Sequence, residues 1–308
     1  MRSILIACLT VFCSISIYAQ SVTREFDVSD FSKVDVSSGF DVNISQGDNE
    51  FVSVKLDKDL EKYLIVENEN NGLKIYLKKK SFFQTFSRRE VLKVDIVVKN
   101  LNKVNVSGGG DLRINNLIVE DLKASLSGGG DITMGIRTNV LKCNVSGGGD
   151  ILLDGYASEM AVSISGGGDL QSRLELKEAK ISISGGGDAK IFCDGANLIN
   201  STLSGGGDLF MNVGADKLSI SISGGGNAKL SGSVDDIRTV ISGGGDILAR
   251  ELDARNCRLS VSGGGDAFVK VRDLLNISVS GGGDVTCYGK PSQVIKKLSG
   301  GSELMIIR

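Results

Sequence analysis

Nine aspartates recur along the chain, each closing a Ser-Gly-Gly-Gly-Asp signature: Asp111, Asp131, Asp150, Asp169, Asp188, Asp208, Asp246, Asp266 and Asp284, with Asn227 standing in one further copy. Stacked in register, neighbouring carboxylates would lie about 4.8 Å apart and repel by about 1 kcal/mol in water, or about 3.5 kcal/mol at an effective dielectric of 20. Something must offset that repulsion. One candidate is a row of calcium ions, since hard carboxylate oxygens suit calcium and glycine-rich Asp repeats of β-roll proteins bind it. The other is structural: each carboxylate accepts hydrogen bonds from the exposed amides of its own glycine corner, as Asp does in turns. The structural reading is preferred, because Asn227 can make such a contact but lowers the charge calcium needs. The signature also lacks the nine-residue spacing of the calcium roll. Equivalence by repetition nominates none of these residues as catalytic, and no cofactor other than calcium has a candidate site.

A second feature is the run Lys78, Lys79, Lys80, Ser81, Phe82, Phe83, Gln84, Thr85, Phe86, Ser87, Arg88, Arg89. Basic ends around three phenylalanines could contact an anionic membrane surface or a partner. The simpler expectation is a hairpin loop whose Phe residues plug the end of the fold. Lys and Arg also recur four residues before the signature Ser (Lys103, Lys123, Lys142, Lys180, Arg238, Arg258), as suits a solvated face that discourages aggregation.

Several chemistries are excluded by what is missing. The 308 residues contain no His, which removes Ser/His/Asp and Cys/His catalysis and histidine metal sites. No glycine triplet is followed by Gly-Lys, so there is no phosphate-binding Walker loop. Trp is absent and aromatics make up 5%, a poor supply for sugar stacking. A formal charge of −2 gives no field that would select nucleic acid.

The elements that position the aspartates follow from the same repeat. Signature Ser residues fall at Ser107, Ser127, Ser146, Ser165, Ser184, Ser204, Ser223, Ser242, Ser262 and Ser280, in steps of 18 to 20, with a degenerate copy at Ser299. The residue before each Ser is always aliphatic, the one before that small and polar except at Val240, and the next again mostly apolar. Such period-two alternation is a strand with one buried face. The residue after each Asp is apolar as well, which starts a second strand. Glycine alone enters positive φ and places no Cβ at a crowded bend, so Gly-Gly-Gly reads as the corner between them. About 19 residues at about 3.3 Å each trace roughly 60 Å, the perimeter of one β-helix coil. The expected fold is all-β: a single-stranded parallel β-helix, right-handed by the general crossover preference, with a β-rich N-terminal cap. A β-propeller, needing about 40 residues per blade, fits less well.

The expected organisation is a signal peptide over 1–19, a β-rich region over 20–106 and the β-helix over 107–308. Met1-Arg2-Ser3 leads into an apolar run from Ile4 to Tyr18, too short to span a bilayer comfortably, with cleavage expected after Ala19; lipidation at Cys8 is the weaker alternative. Residues 33–42 align with 103–112 and read as a degenerate first coil. Strands are expected at Phe51–Leu56, Leu73–Leu77 and Val91–Val98, with a helical turn around Asp57–Tyr63. Outside the leader, Cys143, Cys193, Cys257 and Cys287 share no column of the repeat and read as buried free thiols.

The leader, the Lys33 to Ile44 stretch (KVDVSSGFDVNI) and the Ser-Gly-Gly-Gly-Asp repeats together resemble a known family, the putative auto-transporter adhesins with a head GIN domain. The resemblance covers nearly all of the chain beyond the leader. It implies a β-helical protein of the Gram-negative envelope or exterior, and it transfers no catalytic residues. The functional expectation is an exported, non-enzymatic solenoid in adhesion or envelope binding, whose partner is a surface glycan, a protein or an envelope component. A polysaccharide lyase or hydrolase on the same fold and a calcium-stiffened rod are the alternatives; the enzyme would need a local cluster that breaks the repeat.

Overall fold

In the computed structural model, which describes residues 21–78 and 91–307, the alternation of the repeats becomes parallel stacked strands. Ile132–Gly147, Ile151–Gly166 and Leu170–Gly185 are three successive examples, paired so that Val145, Ile164 and Ile183 form one column and Ser146, Ser165 and Ser184 the next. The result is a β-solenoid of about 11 turns, with equivalent residues about 19 apart. From Ile132 to Gly281 the strand leaving one corner runs on into the strand approaching the next, so each of these coils is one long bent strand, whereas the coils at either end keep two separate strands.

Inward positions stack aliphatic on aliphatic. Each aliphatic residue before a signature Ser, from Val106 to Val279, is no more than 2% exposed. Burial of these columns at about 25 cal/mol per Å² is what stabilises a coil, because a single coil cannot bury its inner face alone. The 18-to-20 steps are absorbed by register shifts in the strand beyond the corner, for example between Arg173 and Glu178 and between Ala249 and Asp253. Pairing at the corner itself stays in register in every coil.

The N-terminal part contributes β1 (Ser21–Phe26), β2 (Lys33–Val36), β3 (Asp41–Gln46), β4 (Phe51–Asp57), β5 (Leu64–Glu69), β6 (Gly72–Leu77) and β7 (Leu92–Val98), with a 3-10 turn at Lys58–Tyr63. Strands β2 and β3 pair in parallel with β8 (Lys103–Ser107) and β9 (Leu112–Ile118), placing Val36 beside Val106 and Val42 beside Leu112. On their other edges lie β6 and β7, and β4 then pairs antiparallel with both β7 and β1. This arrangement covers the outer edge of the first coil. Hairpin β5–β6 turns through Asn70 and Asn71, both at positive φ (53° and 63°), as a two-residue connection between twisted strands requires.

Of the basic-aromatic run, Lys78 is exposed and its amide donates to the Tyr63 carbonyl at 2.8 Å. Lys79, Lys80, Phe82, Phe83, Phe86, Arg88 and Arg89 lie outside the described residues, as does the leader with its expected cleavage after Ala19.

Candidate functional site: the aspartate corner and the exposed faces

Three glycines make each corner, and each meets a different constraint. The first, from Gly128 to Gly281, holds φ between 127° and 143°, a region L-residues rarely enter. The third has ordinary φ, but a Cβ there would collide with the carbonyl oxygen of the equivalent glycine one coil back, as at Gly187 against Gly168. Around the middle glycine a Cβ would find nothing within 4 Å. Its amide is used nonetheless: Gly186 donates to the Gly166 carbonyl at 3.1 Å, and the same bond recurs through Gly301.

The Asp column continues this hydrogen-bond ladder with side chains. The amide of each column residue donates to Oδ1 of its counterpart one coil earlier, from Asp111 onto Asp41 through Asp284 onto Asp266, at 2.8 to 3.1 Å. Glu303 adds the last rung, donating to Asp284 Oδ1 at 2.8 Å. The expectation that a carboxylate accepts from its own corner is corrected here. The middle-glycine amide and the Asp amide of each corner bond the preceding coil, and the carboxylate accepts from the following coil's Asp amide. Each rung satisfies a backbone N–H that the bend removes from the ordinary strand ladder, and each places a donor against a carboxylate that would otherwise face another. Asn227 occupies the same rung: Oδ1 accepts from the Asp246 amide at 3.0 Å, and Nδ2 donates to Asp208 Oδ1 at 3.3 Å. Among the described residues, no three carboxylates or thiols converge as ligands of one metal ion.

A direct consequence can be measured at one rung. Asp188→Asn keeps the acceptor and removes a charge, so its urea midpoint is expected to match or slightly exceed that of the parent. Asp188→Ala strips the acceptor from the Asp208 amide and is expected to cost about 1 kcal/mol. Equal losses for both would show that charge, and not the acceptor, holds the rung.

All four cysteines of the described region are buried and free, as read from their columns. Burial pushes the Cys143 and Cys257 thiols up to about 12, and raises those of Cys193 and Cys287 as well. Iodoacetamide at pH 8 is therefore expected to leave all four unlabelled in the native protein and to label them in urea. Because the folded values are raised, this contribution to stability is complete below the ordinary thiol range near 9 and declines as pH climbs towards 12.

The exposed faces hold what lies outside the repeat signature. Columns of Asn, Ser and Thr before the corner line a groove of about 580 Å³ running from Asn105 to Ser204. On another side Asp194, Asp216, Asp235 and Arg272 share a pocket of about 330 Å³, a departure from the repeat that residue spacing did not single out. Arg255 meets Asp235 at 3.3 Å and Asp273 at 4.0 Å there, and Arg272 meets Asp253 at 3.4 Å, all on half-exposed side chains.

The family model described as "Putative auto-transporter adhesin, head GIN domain" matches residues 30–210 and 189–291, which is most of the chain. The chain belongs to this family. Three solved structures align with this head GIN domain protein. One is a putative lipid binding protein of Parabacteroides distasonis (23% identity, 94% of this chain and 97% of that one, TM-score 0.38). The others are putative adhesins of Bacteroides fragilis (17%, 94% and 98%, TM-score 0.32) and of P. distasonis (19%, 94% and 98%, TM-score 0.35). No curated protein matches the head GIN domain chain.

Proposed function

We propose that this protein is an exported, non-enzymatic β-solenoid that serves in adhesion or envelope binding through the side chains of its long outer faces. The observation that carries the reading is the Asp ladder: the one repeated group capable of chemistry is engaged coil to coil, which leaves the variable outward columns to meet a partner. Membership of an adhesin-named family supports the same reading and an envelope or extracellular location. Among the described residues no helix is long and apolar enough to cross a membrane.

The test is saturable binding of the fluorescently labelled protein to whole cells and to isolated envelope fractions. Binding that unlabelled protein competes away is expected; no binding to any cell or fraction would overturn the reading.

A lyase or hydrolase reading has one foothold, the Asp194, Asp216, Asp235 and Arg272 pocket. Asp194 and Asp216 are exposed, so the pocket is open to bulk water on that side. New reducing ends released from polysaccharides by the parent protein, and not by Asp235→Asn, would establish the enzyme instead.

A further inference from the structure

The repeats contain five aromatic residues, Tyr156, Phe192, Phe210, Phe268 and Tyr288, and each stands an even number of residues after the Asp of its own coil. The residues on either side of the three Phe, such as Ile191 and Cys193 or Leu209 and Met211, are buried, and each Tyr has one buried neighbour, Ala157 or Cys287. The three Phe therefore project outward beyond the corner, Tyr156 and Tyr288 are half-exposed, and none of the five enters the core, where a ring buries the most apolar area. Phe192 is 45% and Phe210 38% exposed, an arrangement that folding alone does not reward. Leu248, between them and Phe268, is 39% exposed.

Cations are interleaved with these rings. Strand register sets Phe210 between Lys190 and Lys229, and Phe268 beside Leu248. Guanidinium groups lie over Tyr156, Phe192 and Tyr288 at 5.4, 5.8 and 4.6 Å, from Arg137, Arg173 and Arg250. Near the C-terminal end, Lys229, Leu248, Arg250, Glu251, Phe268 and Tyr288 line a recess of about 320 Å³. Along the near edge runs the Asp column, with one oxygen of each carboxylate in the ladder.

This combination decides the kind of partner. Rings and aliphatic side chains offer a surface for stacking C–H groups, Lys and Arg supply donors, and the Asp column and Glu251 supply acceptors. An anionic polymer or an anionic membrane would lie against a row of carboxylates broken only at Asn227, and a cationic one against Lys and Arg. A neutral chain rich in hydroxyls can donate to one row and accept from the other.

We propose that this face binds a linear neutral glycan laid along the solenoid axis, with one sugar ring seated in the recess at Phe268 and Tyr288 and others over Phe210 and Phe192. The proposal rests on the binding function above and names its surface and ligand class. Its test is affinity electrophoresis and calorimetry of the purified protein with mannan, galactomannan, xylan and laminarin, beside alginate and vesicles of anionic phospholipid. At least one neutral polysaccharide is expected to bind. Phe192→Ala/Phe210→Ala, and separately Arg250→Gln, should each weaken it at least tenfold while leaving the melting temperature unchanged, and Lys142→Ala on a different face should have no effect. Overturning results are binding to none of the four neutral polymers, undiminished binding by both variants, or binding confined to alginate, vesicles or a second copy of the chain. Cell binding that persists in the Phe192→Ala/Phe210→Ala variant would remove this face and leave adhesion standing, whereas a parent protein that binds no cell removes the adhesion reading itself.

Discussion

Gly187→Ala is expected to destabilise the protein by about 4 kcal/mol or more, while Gly186→Ala, one residue earlier in the same triplet, stays within about 1 kcal/mol of the parent. The difference is positional. At Gly187 a Cβ would sit inside the contact distance of the Gly168 carbonyl oxygen, and neither backbone can retreat without pulling apart rungs on both sides. At Gly186 the added methyl enters open space, φ lies outside the left-handed region, and alanine narrows the unfolded ensemble slightly. Gly185→Ala should resemble Gly187→Ala, because it combines φ of 129° with a collision against the Gly166 carbonyl. Urea unfolding followed by circular dichroism distinguishes the three. Equal costs at all positions would mean the triplet is needed for chain flexibility and not for close stacking.

Excising residues 170–188 is expected to leave a folded protein one coil shorter, whereas excising 170–178 is expected to abolish cooperative unfolding. The longer cut removes one full period, so Ala189 follows Asp169 in the place of Leu170, an inward position both residues already fill. Every remaining coil keeps its neighbours' register, and in a stack of nearest-neighbour contacts only one interface's worth of stability is lost. The shorter cut leaves ten residues, about 33 Å of strand, to go round a perimeter of roughly 60 Å. The Ser184 corner would then reach the stack far from the Ser165 corner, and the Asp169 to Asp188 rung could not form. Size-exclusion chromatography and thermal melting read both outcomes, and a folded product from the shorter cut would contradict a fixed-perimeter coil.

Much of this architecture was legible because repetition removes ambiguity. A single Val-Ser-Gly stretch could be many things, but ten aliphatic residues before ten corners can only be one stacked column. The same repetition hid the partner of each Asp. Residue types show that a carboxylate near a glycine corner needs a donor, and they do not show that the donor belongs to the coil that follows. Hairpin β5–β6 was missed although its signal, Asn70-Asn71-Gly72, stands in the chain; the polar Glu67 to Glu69 segment obscured the strand alternation before it. The aromatic face was overlooked for another reason. Aromatics make up only 5% of the sequence, and their scarcity as a total masked their placement, which the even spacing of Phe192, Phe210, Phe268 and Tyr288 from the corner Asp makes plain. The Asp194, Asp216 and Asp235 pocket has a weaker signal: Asp216 and Asp235 hold equivalent positions in neighbouring coils, but Asp194 stands two residues nearer its corner, beside a register shift between Cys193 and Ala196.

The account turns on the Asp column being complete in itself, bonded coil to coil and in no need of a cation. Thermal melting of the purified protein in millimolar calcium and in excess chelator tests this most directly. A ligand bound only by the native state adds about 2.7 kcal/mol at a hundred times its dissociation constant, and a ladder of such sites would multiply that. The expected result is one midpoint in both buffers. A midpoint that rises with calcium and falls with chelator would show that the carboxylates hold metal, and would make the column, not the faces beside it, the working part of the molecule.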